Sequence, residues 1–185
     1  MKEKLNTAVV GIGKVTAIHA RALANLPGSR FAAVCSTDRK KAEDFASAHR
    51  IKGYTDVAEM VHREKIDVVV ICTPHPVHRA PAVAAMEAGA HVLVEKPFAS
   101  SLEDCDAMLS AAERYDRQTG VISQRRWYRP VQRVKEAIDS GKIGKPVFGT
   151  VNMLGWRDEK YYQSDPWRGS WKGEGGGVLV NQAPH

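Results

Sequence analysis

Leu5-Asn6-Thr7-Ala8-Val9-Val10-Gly11-Ile12-Gly13-Lys14-Val15-Thr16 is the stretch whose reading decides the fold. A short apolar, β-branched run is broken by two glycines, after which Val15, Ile18, Ala22, Leu23 and Leu26 recur at helical spacing. The pattern is strand, glycine turn, helix. At such a junction Gly11 permits a tight turn and Gly13 lets the backbone approach a phosphate. The first turn of the helix adds unpaired N–H groups and a partial positive charge. Thr16 stands at the third small position of the pattern, where glycine or alanine is usual.

The same alternation continues outward from this stretch. Phe31 to Cys35 forms a second apolar run, and Asp38 is placed to cap a helix carrying Ala42, Phe45 and Ala46. Asp56 can cap a short helix with Val57, Met60 and Val61 on one face. Asp67-Val68-Val69-Val70-Ile71-Cys72 is unbroken apolar strand, as expected where both faces of a parallel sheet are covered. Pro74 and Pro76 end it, and a helix from Val77 to Glu87 leads through Gly89 to the strand Ala90 to Val94. Ser100 and Glu103 read as a capping box for a helix with Leu102, Cys105, Met108, Leu109 and Ala112 on one side. Val121-Ile122 is the next strand, and a last helix gathers Val131, Val134 and Ile138 before Gly141. This order predicts an α/β domain with a doubly wound parallel sheet over residues 1–123, followed by a connecting helical segment, 124–144.

After Gly144 the texture changes. Pro146 to Gly155 reads as one long strand, and Trp156 to Gly173 is rich in aromatic, charged and turn residues. Gly175-Gly176-Gly177 opens the apolar Val178-Leu179-Val180. Residues 145–185 are therefore expected to begin a second, α+β domain with an open, mostly antiparallel sheet. One strand and part of a helix bury no core alone, so the chain is expected to stop inside that domain at His185.

Bulk properties narrow the function classes. The 185 residues are 43% hydrophobic and 26% charged, the balance of a folded domain, with a net charge of +6. The basic residues are dispersed, and Arg39-Lys40-Lys41 and Arg125-Arg126 are too short for a nucleic-acid-binding arm, so no nucleic-acid partner is expected. Cys35, Cys72 and Cys105 lie far apart without a CxxC pair, which argues for reduced thiols and no metal site. Met1-Lys2-Glu3-Lys4 runs into strand without a signal-peptide pattern, and no apolar run of membrane-spanning length occurs, which predicts a cytoplasmic location.

Two further motifs carry chemistry. NAD-binding domains place an acid at the end of the second strand to bind ribose hydroxyls. Here Ser36 and Thr37 stand there, with Arg39 and Lys41 just beyond, suited to the 2′-phosphate of NADP; Asp38 is the alternative acid, and would favour NAD. Glu95-Lys96-Pro97 follows the strand ending at Val94, at the carboxyl edge of the sheet where open α/β folds bind ligands. An ammonium there can stabilise a developing alkoxide beside a nicotinamide, with the carboxylate orienting it, or the two can form a plain surface pair in a turn.

Taken in order, these residues resemble the Gfo/Idh/MocA family, named for glucose-fructose oxidoreductase and inositol dehydrogenase. The likeness runs through Val10 to Lys14 with His19, Thr73-Pro74 with His78, and Ala88 to Pro97. It continues through Ser123 to Trp127, Tyr161-Tyr162 to Pro166-Trp167-Arg168, and Gly175 to His185. The resemblance implies a catalytic Lys96 with Glu95 beside it, and His185 as acid–base. Asn181 replaces the aspartate many members carry. It also implies cofactor contacts from Gly11, Ile12, Gly13, Lys14 and Val15, from Cys72, Thr73, Pro74 and His78, and from Gln124, Trp167 and Arg168. Arg126, Trp156 and Tyr162 are candidate sugar contacts beside Lys96, Asn181 and His185.

The activity so implied is an NAD(P)-dependent dehydrogenase or reductase acting on a secondary alcohol of a sugar, cyclitol or derivative, with NADP favoured. A homo-oligomer formed through the second domain is implied as well. Three alternatives stay open: a glycoside hydrolase of the same family that keeps its cofactor bound, a non-catalytic nucleotide sensor, and a methyltransferase.

Overall fold

The structure is a computed structural model that describes residues 3–183; Pro184 and His185, like Met1 and Lys2, lie outside the described residues. In chain order the elements begin β1 (Leu5–Val10), α1 (Thr16–Asn25), β2 (Ser29–Cys35), α2 (Arg39–His49), β3 (Lys52–Tyr54) and α3 (Val57–Glu64). They continue β4 (Val68–Ile71), α4 (Arg79–Glu87), β5 (His91–Glu95), α5 (Leu102–Arg114), β6 (Thr119–Ile122) and α6 (Arg129–Asp139). Short helical turns α7 (Glu159–Gln163), α8 (Trp171–Glu174) and α9 (Gly177–Asn181) follow.

The six strands form one parallel sheet in the order β3-β2-β1-β4-β5-β6. The chain winds one way from β1 to β3 and then returns to β4, so the order reverses between β1 and β4. A crevice opens at their carboxyl ends, the place where such sheets bind ligands. Both faces are packed. Ala8, Val10, Val69, Ile71, Val92 and Val94 belong to one core cluster, and Val9, Val34 and Val70 to the other. Alternation along each strand therefore supplies two cores.

Asp38 and Asp56 cap α2 and α3, accepting from Lys41 N at 3.0 Å and Glu59 N at 2.7 Å. The α5 cap differs from the expected capping box: Ser101, not Ser100, accepts from Asp104 N at 3.1 Å. Starting the helix there turns Met108 and Ala111 inward and leaves Leu102 79% and Leu109 53% exposed. The inward face of α1 is likewise Thr16, His19, Ala20 and Leu23, while Ile18 and Leu26 face solvent. Thr16 is pinned to the glycine turn, and that anchor sets the rotation of the helix.

Beyond β6 the expected second sheet does not form among the described residues. Residues 146–155 carry no strand, because no described segment runs alongside to accept a ladder. Val147, Phe148, Val151 and Leu154 all face solvent. Val178-Leu179-Val180, read as an apolar stretch, is the body of α9, with Leu179 exposed. Val131, Val134 and Ile138 share one side of α6 as the spacing requires, yet that side is uncovered. No described helix is long and apolar enough to cross a membrane.

Candidate active site

The floor of the crevice is set by Gly11. Its φ is +91°, and a Cβ built there would sit 2.8 Å from Thr73 N and 2.9 Å from Thr73 Cγ2, so glycine is required by both conformation and space. Thr16, wholly buried, closes the turn: its hydroxyl donates to Gly11 O and accepts from Gly13 N, each at 2.9 Å. The departure from the small-residue pattern thus adds a latch to the loop.

The neighbouring strand ends supply the chemistry. Glu95, the last residue of β5, is 9% exposed. One carboxylate oxygen lies 2.7 Å from His19 Nε2, and the other accepts from Lys96 N at 3.2 Å. Three residues after Thr16, His19 falls on the inward face of α1, which brings its ring to the end of β5. Lys96 Nζ donates to Asn181 O at 2.7 Å and to Asn181 Oδ1 at 3.3 Å. Burial pushes the Lys96 pKa below its ordinary value; Glu95 opposes this, and Arg168 and Arg125 add to it.

A strap from α7 to α9 closes the other side. Asn181 Nδ2 donates to Glu174 Oε1 at 2.8 Å, and Gly169 N donates to Glu174 Oε2 at 3.1 Å, so Glu174, 5% exposed, is spent inside the strap. Arg168 donates from Nε to Asp165 Oδ2 at 2.9 Å and from Nη1 to Tyr161 Oη at 2.6 Å. Its guanidinium lies 4.5 Å from the Trp167 ring and 4.3 Å from that of Tyr161. Lys14 Nζ donates to Ser164 Oγ and Asp165 Oδ2, both at 3.1 Å, which ties the glycine turn to the strap. The Arg168 and Lys14 hydrogen bonds hold the Asp165 carboxyl down at about 2.

Between these walls is a cleft of about 290 Å³. Of the residues expected at a site, Gly11, Ile12, Gly13, Lys14, Val15, Cys72, Thr73, Pro74, Glu95, Lys96, Trp167, Arg168 and Asn181 line it together. Cys72 is a neutral part of the wall, its thiol pushed up to about 12 by burial and, less, by Glu95.

His78 does not reach the cleft. It is 0% exposed behind it, with Nε2 2.9 Å from Thr73 O and Nδ1 3.0 Å from Pro97 O, and so braces the loops after β4 and β5. Ser36, Thr37, Arg39 and Lys41 lie apart, past the end of β2, where Arg39 pairs with Glu43 and Lys41 with Asp38. Asp38 itself is occupied as the α2 cap. Gln124 and Arg126 sit on an exposed 3-10 turn and line neither this cleft nor its neighbour. That neighbour, about 640 Å³, is lined by Trp156, Tyr162 and Asn181, and by Arg125 in place of the expected Arg126. His185 lies outside the described residues.

His19, His75, Tyr161, Asp165 and Glu174 belong to the site but carried no assigned role in the sequence. His19 sat inside a recognised motif, and Glu174 directly before the triple glycine; for His75 only its place beside Thr73-Pro74 was a signal. The cleft fits a dinucleotide. A Cβ would fill its floor at Gly11, a helix N-terminus opens onto it, and two buried polar atoms in its wall, Thr73 Oγ1 and His75 Nδ1, have no partner.

Comparison with known proteins identifies the family and the fold. Residues 5–123 match a family model described as "Oxidoreductase family, NAD-binding Rossmann fold", and residues 131–185 match one described as "GFO/IDH/MocA C-terminal domain". A crystal structure of the WlbA dehydrogenase from Bordetella pertussis, in complex with NADH and UDP-GlcNAcA, superposes with a TM-score of 0.89. It is 30% identical, and the match covers 97% of this chain and 56% of that one. A D-apiose dehydrogenase from Paraburkholderia graminis is 32% identical over 82% of this chain and 40% of its own length. A scyllo-inositol 2-dehydrogenase (NAD(+)) from Bacillus subtilis is 34% identical over 80% of this chain and 44% of its own. The chain thus spans about half the length of the curated relatives it matches.

Proposed function

Because the chain belongs to the GFO/IDH/MocA family of oxidoreductases with an NAD-binding Rossmann fold, we propose that it supplies the dinucleotide cleft and catalytic lysine of a nicotinamide-dependent dehydrogenase. The substrate class is a secondary alcohol of a sugar, cyclitol or derivative, as the names of the apiose, inositol and UDP-GlcNAcA relatives suggest. The observation that carries the reading is Lys96 Nζ, held on Asn181 at the rim of a cleft whose floor tolerates only glycine.

A nicotinamide dinucleotide held by the turn from Gly11 to Val15 would supply the hydride acceptor or donor. Lys96 places its ammonium at the alcohol oxygen and stabilises negative charge there as it develops. Glu95, pinned by His19, fixes the backbone from which Lys96 projects. Asn181 orients the ammonium through two oxygens but holds no proton, so proton transfer at the hydroxyl is left to His185, since an imidazole can both accept and donate a proton. An adenosine bound past the end of β2 would meet the exposed cations Arg39 and Lys41, suited to a 2′-phosphate, while Asp38 spends one carboxylate oxygen capping α2, which favours NADP over NAD.

The test is calorimetric binding of NAD and NADP followed by turnover on a panel of polyols and sugars. Lys96→Ala is expected to keep dinucleotide affinity within a few-fold and to lower kcat by about 10²–10⁴. Unchanged turnover in that variant removes the reading.

A further inference from the structure

Two clefts meet at Asn181 and Tyr161, which line both. The first holds the glycine turn and Lys96; the second, of about 640 Å³, lies beside it and shares no residue of that turn. Its wall decides what it can hold. Trp156, Trp171 and Tyr162 line it and are exposed, and two cations, Arg125 and Arg157, stand with them. The carboxylate in this wall, Glu174, is already spent: it accepts from Asn181 Nδ2 and Gly169 N, and Arg168 Nη1 lies 3.9 Å away.

The two arginines are not spent. Both are exposed, and neither pairs with a carboxylate among the described residues. Arg157 donates from Nη1 to Trp156 O at 2.9 Å and from Nη2 to Gln182 Oε1 at 3.4 Å, and its guanidinium lies 5.1 Å from the Tyr161 ring centre. These partners are neutral, so they orient the guanidinium and leave its charge uncompensated. Arg125 is near enough to Lys96 for its charge to act on the lysine. A cleft walled by uncompensated charge of one sign draws in the other. A guanidinium binds the paired oxygens of a carboxylate or phosphate through parallel N–H bonds, and aromatic faces offer apolar contact to the carbon skeleton of a ring.

We propose that this second cleft selects a substrate carrying an oxyanion, either a carboxylate or a phosphate, with Arg157 as the residue that reads it and Arg125 in support. The proposal rests on the dehydrogenase reading above and narrows its substrate class from a sugar or cyclitol to an acidic one. Asn181, which holds Lys96 and lines both clefts, fixes the order: the reacting alcohol sits at Lys96, and the oxyanion lies beyond Asn181, toward Arg157.

The experiment titrates the chain, with and without NADP, with matched probes of the gluco and galacto series, each as the neutral sugar, the uronate and the 6-phosphate, and follows the Arg157 Nε–H signal by NMR. The expected result is that an anionic probe binds about tenfold or more tightly than its neutral counterpart, moves the Arg157 signal and loses its advantage in Arg157→Gln. Arg125→Gln is expected to reduce that advantage by less. Preference for the uronate assigns the oxyanion as a carboxylate, and preference for the 6-phosphate assigns it as a phosphate. No anionic preference in the wild-type protein overturns the proposal, as does a preference that survives Arg157→Gln. The wild-type comparison and the Arg157 signal stand whether or not the variants fold. Binding of NADP without an anionic preference overturns the proposal and leaves the dehydrogenase reading in place; an anionic preference in a chain that binds neither NADP nor NAD supports the chemistry of the cleft and removes that reading.

Discussion

Gly11 and His75 show how single residues set the cleft, one by lacking a side chain and the other by burying a ring in its wall. Gly11→Ala places a methyl group 2.8 Å from Thr73 N on a backbone with φ of +91°. Dinucleotide affinity is expected to fall at least about tenfold, from strain and displacement of the turn together; calorimetric titration checks it, and unchanged affinity contradicts the account of the floor. His75 makes a prediction about stability. Its pKa is about 4 in the folded protein against an ordinary 6.5, so below 6.5 the unfolded chain binds a proton that the native one refuses. Stability is therefore full above 6.5 and falls as pH drops toward about 4, by roughly 3 kcal/mol if His75 acts alone. His78, also lowered by burial, steepens the same slope. Denaturant melts across this window check it, and His75→Asn is expected to flatten the curve. At this scale the sequence was informative where the reason is local: the turn at Gly11 and the placing of Lys96 after a strand need only a few neighbouring residues. It was uninformative about partnership. The His19–Glu95 contact joins residues 76 apart, and nothing in either segment names the other.

Among the elements, the parallel sheet was legible because apolar runs buried on both faces, alternating with capped helices, leave little other choice. Asp38 and Asp56 cap as read. Helix rotation was harder to read. Leu102 and Leu109 suggest one inward face for α5, but the cap at Ser101 and the packing of Met108 and Ala111 impose another. Ser101→Ala is accordingly expected to cost about 1 kcal/mol of stability, and Ser100→Ala clearly less, since the Ser100 hydroxyl caps nothing and has no partner. Paired thermal melts decide between them, and a larger loss at Ser100 would restore the capping box expected from sequence. Residues 146–155 were read as strand because their side chains suit one. A strand, however, is completed by its neighbour, and no described segment pairs with this one.

At the scale of the molecule, the Rossmann sheet and the strap from α7 to α9 make one cleft because two cations cross between them. Lys14 reaches Asp165 and Lys96 reaches Asn181. Both contacts link residues distant in sequence, so the cleft as a closed space appears only in three dimensions. The most direct measurement of the central claim is a crystal structure of the chain grown with NADP or NAD. The account predicts the pyrophosphate over the turn at Gly11–Gly13 and the nicotinamide ring beside Lys96 Nζ. A dinucleotide seated elsewhere on the sheet, or a nicotinamide far from Lys96, would contradict it.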